Sequence, residues 1–323
     1  MQYCVKLSEP VQKMLSCPIC KAKLELYDKY YQCKNLQCNF LFPIINGIPI
    51  LIDNNSSVFC IDDFVNHRNI TFFSSQTELA EAVKRFFPDI SRNIKSRDNF
   101  HKLAKLLLEQ SSTPRVLVIG GSILGQGMEA IIAYPGIEFV DSDAAFGPRT
   151  TLVCDAHSLP FEDNSFDGVI VQAVLEHVVD PWRCVEEIHR VLKEDGLVYA
   201  ETPFMVQVHG GRYDFTRFTH LGHRRLFRKF EEIDCGAVCG PGMALAWSYR
   251  YFLLSFTTSR FLRRLIGVFV RLTSFYLTYL DYLLIDKQGT LDAAAGFYFI
   301  GRRSNQVLPD KDLLKLYKGL DQT

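Results

Sequence analysis

Hydrophobic and polar positions change their period near residue 115. From there on, short apolar runs of strand length alternate with helical segments, which is typical of a doubly wound α/β sheet. Seven runs predict strands: RVLVIGG (115–121), GIEFVDSD (136–143), TTLVCDA (150–156), FDGVIVQ (166–172), GLVYAETP (196–203), EEIDCGAV (231–238) and AAAGFYFIGRR (293–303). Ligands of such sheets bind beyond the carboxyl ends of the strands, so the residues that follow these runs are the first candidates for a site.

The chain before residue 115 has a different pattern. TELAEAVKRFF (77–87) and NFHKLAKLLLEQ (99–110) have apolar residues at helical spacing, and each predicts a helix. Residues 54–75 have polar turn signals without a clear period, and we interpret them as a linker.

Composition excludes a disordered chain and gives no support to nucleic-acid binding. With 48% hydrophobic and 22% charged residues, a chain of 323 residues can bury a substantial core and is not disordered. Lys and Arg balance Asp and Glu at 36 each, which removes any global charge argument for nucleic-acid binding. The amino terminus has no apolar segment after a basic start, so we expect no secretory signal and a reducing, cytoplasmic location.

Four of the ten cysteines have a spacing that explains them. Cys17 and Cys20 form one C-x2-C pair, and Cys33 and Cys38 form a C-x4-C pair twelve residues later. Two such turns can present four thiolates to one Zn²⁺ ion, and the intervening residues 21–32 alternate as a hairpin does. The sequence therefore predicts a zinc ribbon with a closed, structural metal site. The other six cysteines lack such pairing, and we expect buried, inert thiols.

A nucleotide-type cofactor is indicated by residues at the ends of the first three predicted strands. Gly120, Gly121 and Gly125 let the backbone turn and approach a ligand closely. About twenty residues on, Asp143, or alternatively Asp141, is placed to accept the hydroxyls of a ribose. Asp155, after the third strand, can accept a hydrogen bond from an adenine amine.

Together these motifs resemble a class I S-adenosylmethionine-dependent methyltransferase. VLVIGGSILGQG, the acid after strand 2, the run from CDAHSLPF to ETPF and the late strand GFYFIGRR carry the resemblance. It implies a seven-stranded mixed, Rossmann-like sheet with bound S-adenosylmethionine. Val118 and Ser122 depart from the family pattern, which has an acid and a second glycine there. The implied cofactor residues are Gly120, Gly121, Gly125, Asp143, Asp155, Ala156, Gln172 and Leu175.

The ribbon motif is similar to small zinc ribbons that accompany some methyltransferases. The expected organisation is a ribbon at 1–54, a linker and helix at 55–94 and a methyltransferase domain at 95–305. A helical insert at about 243–286 interrupts that domain, and a C-terminal helix follows at 306–323.

Candidate acceptor-binding residues follow predicted strands 4 and 5. Methyl transfer needs alignment of the acceptor, and it needs a base only where the nucleophile is protonated. His177 is a candidate base, and its alternative role is packing. Residues 209–229 are rich in Arg, which favours an anionic acceptor. The catalytic candidates are His177, Tyr213 and Arg217, and the candidate substrate contacts are His209, Arg212, Asp214 and His220.

The predicted insert is basic and highly apolar, with no acid from Gly236 to Leu280. Arg260, Arg264 and Arg271 share one helical face, and charged residues interrupt every window long enough to span a membrane. One interpretation is that residues 258–284 lie on an anionic membrane surface, at the inner membrane, or accept a lipid-linked substrate. The alternative is an insert packed on the domain or in a homodimer.

The sequence thus leaves three hypotheses for function. The first is S-adenosylmethionine-dependent methylation of an anionic small molecule or of a lipid- or glycan-linked intermediate. The second is an RNA or protein methyltransferase that uses the ribbon as an adaptor, although the neutral overall charge does not favour nucleic acid. The third is a non-catalytic, cofactor-binding scaffold that activates a partner.

Overall fold

The centre of the molecule is a mixed β-sheet, seen in a computed structural model that describes residues 5–66 and 87–320. Its seven central strands are β5 (Arg115–Ile119), β6 (Glu138–Asp143), β7 (Leu152–Cys154), β8 (Phe166–Gln172), β9 (Leu192–Pro203), β10 (Phe230–Cys239) and β11 (Gly296–Arg303). Their spatial order is β7-β6-β5-β8-β9-β11-β10. The first five are parallel, and β11 lies antiparallel between β9 and β10. Every predicted strand is therefore present, in a Rossmann-like arrangement.

Four further strands precede these in the chain: β1 (Leu24–Leu26), β2 (Tyr30–Cys33), β3 (Leu41–Ile45) and β4 (Ile48–Leu51). They form an antiparallel meander, and β4 then pairs in parallel with β7, where Ile50 faces Val153 and Leu51 faces Cys154. The sheet of the described residues therefore has eleven strands, which corrects the expected seven. An unpaired β7 would leave backbone donors and acceptors at a sheet edge, and the buried β4 satisfies them.

Helices flank the sheet. The described helices are α1 (Glu9–Lys13), α2 (Ile61–Val65), α3 (Ser96–Gln110), α4 (Glu129–Ile132), α5 (Pro181–Val191), α6 (His220–Leu226), α7 (Pro241–Leu254), α8 (Arg260–Ser274), α9 (Leu277–Leu284), α10 (Thr290–Ala293) and α11 (Asp310–Leu313). The predicted helix at 99–110 lies within α3, and α2 lies within the segment predicted as a linker. The predicted helix at 77–87 falls outside the described residues except for its last residue.

The amino-terminal strands and the central sheet share one hydrophobic core. Leu15 is buried and forms a β-bridge with the buried Phe161. The Ser16 backbone N–H donates to the Pro160 carbonyl at 3.0 Å. Folding of the cysteine-bearing segment is consequently coupled to folding of the sheet, because large apolar side chains of both are buried together.

Helices α7, α8 and α9 form a compact addition between β10 and β11. The Asp281 carboxylate of α9 accepts hydrogen bonds from the backbone N–H groups of Gly242 at 2.7 Å and Met243 at 2.9 Å, at the start of α7. A negative charge at that position also complements the α7 dipole. Among the described residues, no helix is long and apolar enough to cross a membrane.

Candidate functional site

A cavity of about 440 Å³ opens at the carboxyl ends of β5, β6, β7 and β8. The strand order reverses between β5 and β8, so the cavity lies at the point where open α/β sheets bind ligands. Val58 and Phe59 contribute to its wall together with His177 and His209. Of the predicted cofactor residues, the structure brings six to this cavity: Gly120, Gly125, Asp143, Asp155, Ala156 and Gln172.

Two glycines line the cavity where a side chain has no room. Gly120 has φ +77°, and a Cβ there would lie 2.3 Å from Cγ2 of Val174. A Cβ on Gly125 would lie 1.8 Å from Oε1 of Gln172. The absence of a Cβ therefore lets Val174 and Gln172 pack directly against the backbone at these positions. Gly121, also predicted to bind the cofactor, is not part of the cavity lining.

Asp143 lines the cavity, and its geometry decides between the two candidate acids. Its Oδ2 accepts the backbone N–H of Ser122 at 3.0 Å, which ties the end of β6 to the loop after β5. Burial raises the pKa of this carboxyl. Asp141 instead forms an ion pair with Arg149 at 2.9 Å and is not part of the lining. Asp143 is thus the acid placed to face a ligand.

Asp155 lines the cavity, but its oxygens already have protein partners. Oδ1 accepts the backbone N–H of His157 at 2.9 Å and lies 2.6 Å from its Nδ1, while Oδ2 accepts the Ser57 hydroxyl at 2.5 Å. Nε2 of His157 accepts the backbone N–H of Asp180 at 3.0 Å, which places the ring proton on Nδ1. Contact of Asp155 with an adenine stays a prediction.

Glu201 organises the floor beneath the cavity. Its buried carboxylate accepts hydrogen bonds from Gln172 Nε2 at 3.0 Å, Asn93 Nδ2 at 2.9 Å and the Ser96 hydroxyl at 2.6 Å, and from the Tyr199 hydroxyl. Burial raises the pKa of Glu201. The network fixes the amide of Gln172, which lines the cavity together with Asn93. Leu175, predicted to close the site, is buried and lies outside the lining.

Glu176, His177 and His209 form a cluster beside the cavity, which the two histidines line. Oε1 of Glu176 lies 3.7 Å from Nε2 of His177 and 3.8 Å from Nε2 of His209. The Glu176 side chain is only 1% exposed, and neither carboxylate oxygen has a hydrogen-bond partner among the described residues. Burial raises the pKa of Glu176 to about 8 and lowers the pKa of His177.

Two of the residues predicted to contact the substrate or take part in catalysis, Asp214 and Arg217, instead bind other residues of their own loop. Asp214 accepts hydrogen bonds from Arg217 Nη2 at 3.0 Å and from the backbone N–H of His209 at 2.7 Å. Arg217 also donates to the carbonyls of Val206 and Gln207. Although burial alone would raise it, the hydrogen bonds from Arg217 hold the pKa of Asp214 below its usual range. The two side chains thus fix the loop and do not line the cavity.

Three further candidates also lie outside the cavity lining. Arg212 is exposed, and its guanidinium lies 4.9 Å from the ring centre of Tyr213. The Tyr213 ring stacks on Phe59 at 5.9 Å and so braces the cavity wall. His220 is buried against Phe297, and the structure does not bring it to the cavity.

The four predicted zinc ligands do converge. Sγ of Cys17 lies 3.8 Å from Sγ of Cys38, and Sγ of Cys20 lies 3.4 Å from Sγ of Cys33. All four sulfur atoms lie within 4.8 Å of one another. A tetrahedral zinc site with Zn–S bonds of about 2.3 Å places its sulfurs about 3.8 Å apart, so the cluster is compatible with zinc.

Comparison with known proteins identifies the central domain. A family model described as a methyltransferase domain matches residues 136–200. A demethylmenaquinone methyltransferase of Staphylococcus epidermidis is 50% identical over 44 residues, which are 14% of this chain and 18% of that protein. The chain therefore spans less than a fifth of that relative's length. Residues 136–200 therefore resemble a methyltransferase domain, and they lie within a sheet of Rossmann-like strand order.

A second group of relatives matches another short part of the chain. A UPF0434 protein of Shewanella denitrificans is 45% identical over 47 residues, which are 14% of this chain and 79% of that protein. A UPF0434 protein of Shewanella amazonensis is 42% identical over 48 residues and is covered to 74%. Over the matched segment, the chain belongs to the UPF0434 family.

Solved structures resemble the chain at low identity. Haemonchus contortus phosphoethanolamine N-methyltransferase 2 in complex with S-adenosyl-L-methionine is 17% identical, with 80% of this chain and 62% of that chain covered and a TM-score of 0.43. A complex of the Haloferax volcanii Trm112 methyltransferase activator with a putative methyltransferase is 19% identical, with 67% and 100% covered and a TM-score of 0.40. The fold assignment depends on the strand order and not on these scores.

Sequence reasoning missed several residues of the site. Glu201 was overlooked because it lies inside a predicted strand, where an acid gives no motif signal. Glu176 is adjacent to His177 and could have been found as a Glu-His pair. Val58 and Phe59 lie in the predicted linker, and only the tertiary fold brings them to the cavity.

Proposed function

We propose that the chain transfers the methyl group of S-adenosylmethionine to an acceptor bound at the His177 and His209 end of the cavity. The observation that carries the proposal is the position of Asp143 beside the tight loop at Gly120, at the reversal point of a methyltransferase sheet. The cofactor residues proposed are those that line the cavity, with Asp143 at the ribose.

The cavity offers features that fit this cofactor. Gly120 and Gly125 give the cavity a wall of bare backbone, and Ser122 Oγ and Gln172 Oε1 are buried without hydrogen-bond partners in the described residues. Ser122 therefore offers a hydroxyl where the family pattern has a second glycine. When bound, S-adenosylmethionine supplies a methyl group on a positively charged sulfur. The residues of this chain position the acceptor and exclude water.

The acceptor-side residues fit a protonated nucleophile. His177 Nδ1 lies 2.8 Å from the Tyr213 carbonyl, which only accepts, so Nδ1 carries the proton and Nε2 carries the lone pair. The lowered pKa of His177 keeps the ring neutral near pH 7. A neutral imidazole at the cavity can take a proton from an acceptor, which supports its role as a base.

We further propose that the acceptor is anionic or is lipid- or glycan-linked. Arg212 is the exposed cation of the loop that contains His209, and it suits a phosphate or carboxylate. The same loop is joined to the insert, because the Tyr251 hydroxyl of α7 donates to the Val208 carbonyl at 2.8 Å. The ring centres of Trp247 and His209 also lie 6.1 Å apart. The insert is therefore directly connected to the acceptor end of the cavity.

The exposed surface of α8 supports contact with an anionic membrane. At about 100° per residue, Arg260, Arg264 and Arg271 occupy one narrow sector, and a wide apolar sector lies next to it. The exposed apolar residues of that sector are Phe261, Leu262, Leu265, Phe269 and Leu272. Val270 and Ser274 face inward. A two-fold contact between copies of this face would bring arginines of the two copies together. Residues 236–280 contain no acid that could pair with them, so the like charges would repel. The charge pattern therefore favours a lipid surface over a homodimer.

The cysteine cluster is proposed to hold a structural Zn²⁺ ion. Four thiolates complete a tetrahedral site and leave no position for a substrate. The ion would stabilise the meander that extends the sheet through β4, and through it the nearby segment that contains Val58 and Phe59.

A transfer assay tests the function. The zinc-loaded chain is incubated with methyl-labelled S-adenosylmethionine and, separately, with anionic metabolites, anionic lipid extracts, RNA and protein extract. We expect label in the metabolite or lipid fraction with the wild type and none with Asp143→Ala, while Asp98→Ala, an exposed acid on α3, behaves as the wild type. Label in RNA or protein would replace the proposed acceptor class. Cofactor binding without any transfer would favour the scaffold hypothesis.

A further inference from the structure

A second group of metal-binding side chains lies apart from the cysteine cluster, at the acceptor end of the cavity. Glu176, His177 and His209 each direct one donor atom toward a common point, and those atoms lie within 4.8 Å of one another. Two imidazole nitrogens and one carboxylate oxygen form a frequent protein ligand set for divalent transition metals.

The Glu176 carboxylate requires an explanation that the methyltransferase fold does not supply. It is 1% exposed, and both oxygens lack a hydrogen-bond partner among the described residues. A buried, unpaired carboxylate costs several kcal/mol unless it takes up a proton or a cation or donors compensate it. The Arg217 guanidinium is already bound to Asp214 and to loop carbonyls. Oε1 of Glu176 instead lies within 4 Å of an imidazole nitrogen of His177 and of His209.

Both histidines are oriented as metal ligands are. Nδ1 of His177 donates to the Tyr213 carbonyl at 2.8 Å. Nδ1 of His209 lies 3.2 Å from the Gln207 carbonyl, which favours a proton there, and 3.4 Å from Nη2 of Arg217, which opposes it at a longer distance. Oδ2 of Asp214 lies 3.5 Å from the same His209 nitrogen. Metal-bound histidines usually donate their second nitrogen to such carbonyls or carboxylates, which leaves the other lone pair for the ion. Here both Nε2 atoms face Glu176.

The separations fit an ion after a small contraction. Oε1 of Glu176 lies 3.7 Å and 3.8 Å from the two Nε2 atoms. Bonds of about 2.0–2.1 Å at tetrahedral angles give donor separations of about 3.3 Å. The two separations from Glu176 would each shorten by about half an ångström on metal binding, and all three donor atoms already lie within 4.8 Å of one another.

We propose that Glu176, His177 and His209 bind a divalent transition-metal ion that coordinates the methyl acceptor. The proposal deepens the proposed function and rests on it. Three protein ligands leave coordination positions open toward the cavity, which His177 and His209 line. The acceptor is then one with an oxygen donor, such as a hydroxyl beside a carboxylate or phosphate.

The ion would act as a Lewis acid on that oxygen. With the ion bound, the Nε2 lone pair of His177 is coordinated and His177 no longer acts as the base, so the acceptor O–H bond breaks and its proton leaves to solvent. The oxygen forms a bond to the methyl carbon, and the carbon–sulfur bond breaks with its electron pair retained by sulfur. Charge balances because the positively charged sulfonium becomes a neutral thioether while one proton is released.

Mn²⁺ titration of the chain loaded with a single equivalent of Zn²⁺, which the four cysteines take up, tests the site, with free Mn²⁺ followed by electron paramagnetic resonance. Mn²⁺ prefers oxygen ligands over thiolates, so the zinc-filled cysteine cluster does not compete for it. We expect one equivalent to bind, and we expect Glu176→Gln and His209→Ala to weaken binding by at least about ten-fold. His101→Gln, a histidine on α3 far from the cavity, is the matched control and should bind as the wild type.

Two results would overturn the proposal: no Mn²⁺ binding by the zinc-loaded wild type, or equal affinity in all four proteins. His209 is partly exposed, so its substitution is expected to leave the fold intact, and circular dichroism of each variant checks this. S-adenosylmethionine titration of the same samples separates the two claims. Cofactor binding without Mn²⁺ binding removes only the metal site, and Mn²⁺ binding without cofactor binding removes only the proposed transfer.

Discussion

Nε2 of Gln172 donates a 3.0 Å hydrogen bond to Oε2 of Glu201, and this bond joins the cavity lining to the centre of the sheet. Gln172 ends β8 and Glu201 lies in the neighbouring β9. The same amide nitrogen donates to the Gln126 carbonyl at 3.0 Å, on the loop after β5. One buried acid therefore holds two of the loops that surround the candidate cofactor site.

Replacement of Glu201 by alanine should destabilise the protein. Ser96, Asn93 and Gln172 would each lose a buried acceptor, and unsatisfied buried donors typically cost about 1–3 kcal/mol each before relaxation. We expect the free energy of unfolding, measured by urea titration, to fall by roughly 2–4 kcal/mol. Glu201→Gln, which keeps an acceptor, should lose less. Equal stability of the wild type and the alanine variant would show that the network does not support the fold.

Removal of the metal from the cysteine cluster should destabilise the central sheet as well as the ribbon. Because β4 pairs with β7 and Leu15 packs on Phe161, loss of the ribbon exposes core residues of the central sheet. We expect one zinc equivalent per chain, lost in Cys33→Ser, and a thermal midpoint lowered by a strong chelator. Cys60→Ser, outside the cluster, should retain the zinc. A thermal midpoint insensitive to chelation would contradict structural coupling through the metal.

Acid should destabilise the fold through His223. Burial against Phe218 and Phe227, with the nearby positive charges, lowers the pKa of His223 to about 3. The unfolded chain therefore binds a proton below about pH 6.5 that the folded chain does not, and stability falls by roughly 1.4 kcal/mol per pH unit from there downward. Urea titrations between pH 7 and pH 5 should show a shallower loss for His223→Leu than for the wild type. His101→Gln is the control, and an identical slope in all three proteins would exclude His223 as a cause.

The basic, apolar face of α8 should bind anionic vesicles. The wild type should sediment with phosphatidylcholine vesicles that contain phosphatidylglycerol. A smaller fraction of it should sediment with vesicles of pure phosphatidylcholine. Leu265→Glu with Phe269→Glu removes apolar contact at exposed positions and should abolish sedimentation. Leu314→Glu, at an exposed leucine outside the insert, should not. If the wild type is dimeric and does not sediment with either kind of vesicle, the result would favour the alternative that α8 lies in a homodimer interface.

The strands were predictable from the sequence because apolar runs such as FDGVIVQ are buried on both faces of a parallel sheet and have little conformational choice. The cysteine spacing was equally informative, since two turns bring the four sulfurs together locally. Asp143 was preferred over Asp141 from the sequence, but the ion pair that occupies Asp141 could not be predicted because Arg149 lies on the loop after the strand. The pairing of β4 with β7, the cluster at Glu176 and the role of Glu201 depend on contacts between residues far apart in the chain.

Calorimetric titration of the zinc-loaded chain with S-adenosylmethionine and S-adenosylhomocysteine tests the central claim most directly. We predict binding of one equivalent by the wild type and by Asp98→Ala, and a loss of at least about ten-fold in affinity, or about 1.4 kcal/mol, in Asp143→Ala. The reason is that Asp143 is the acid that lines the cavity beside Gly120. A folded, metal-replete wild type that binds neither compound would contradict the account.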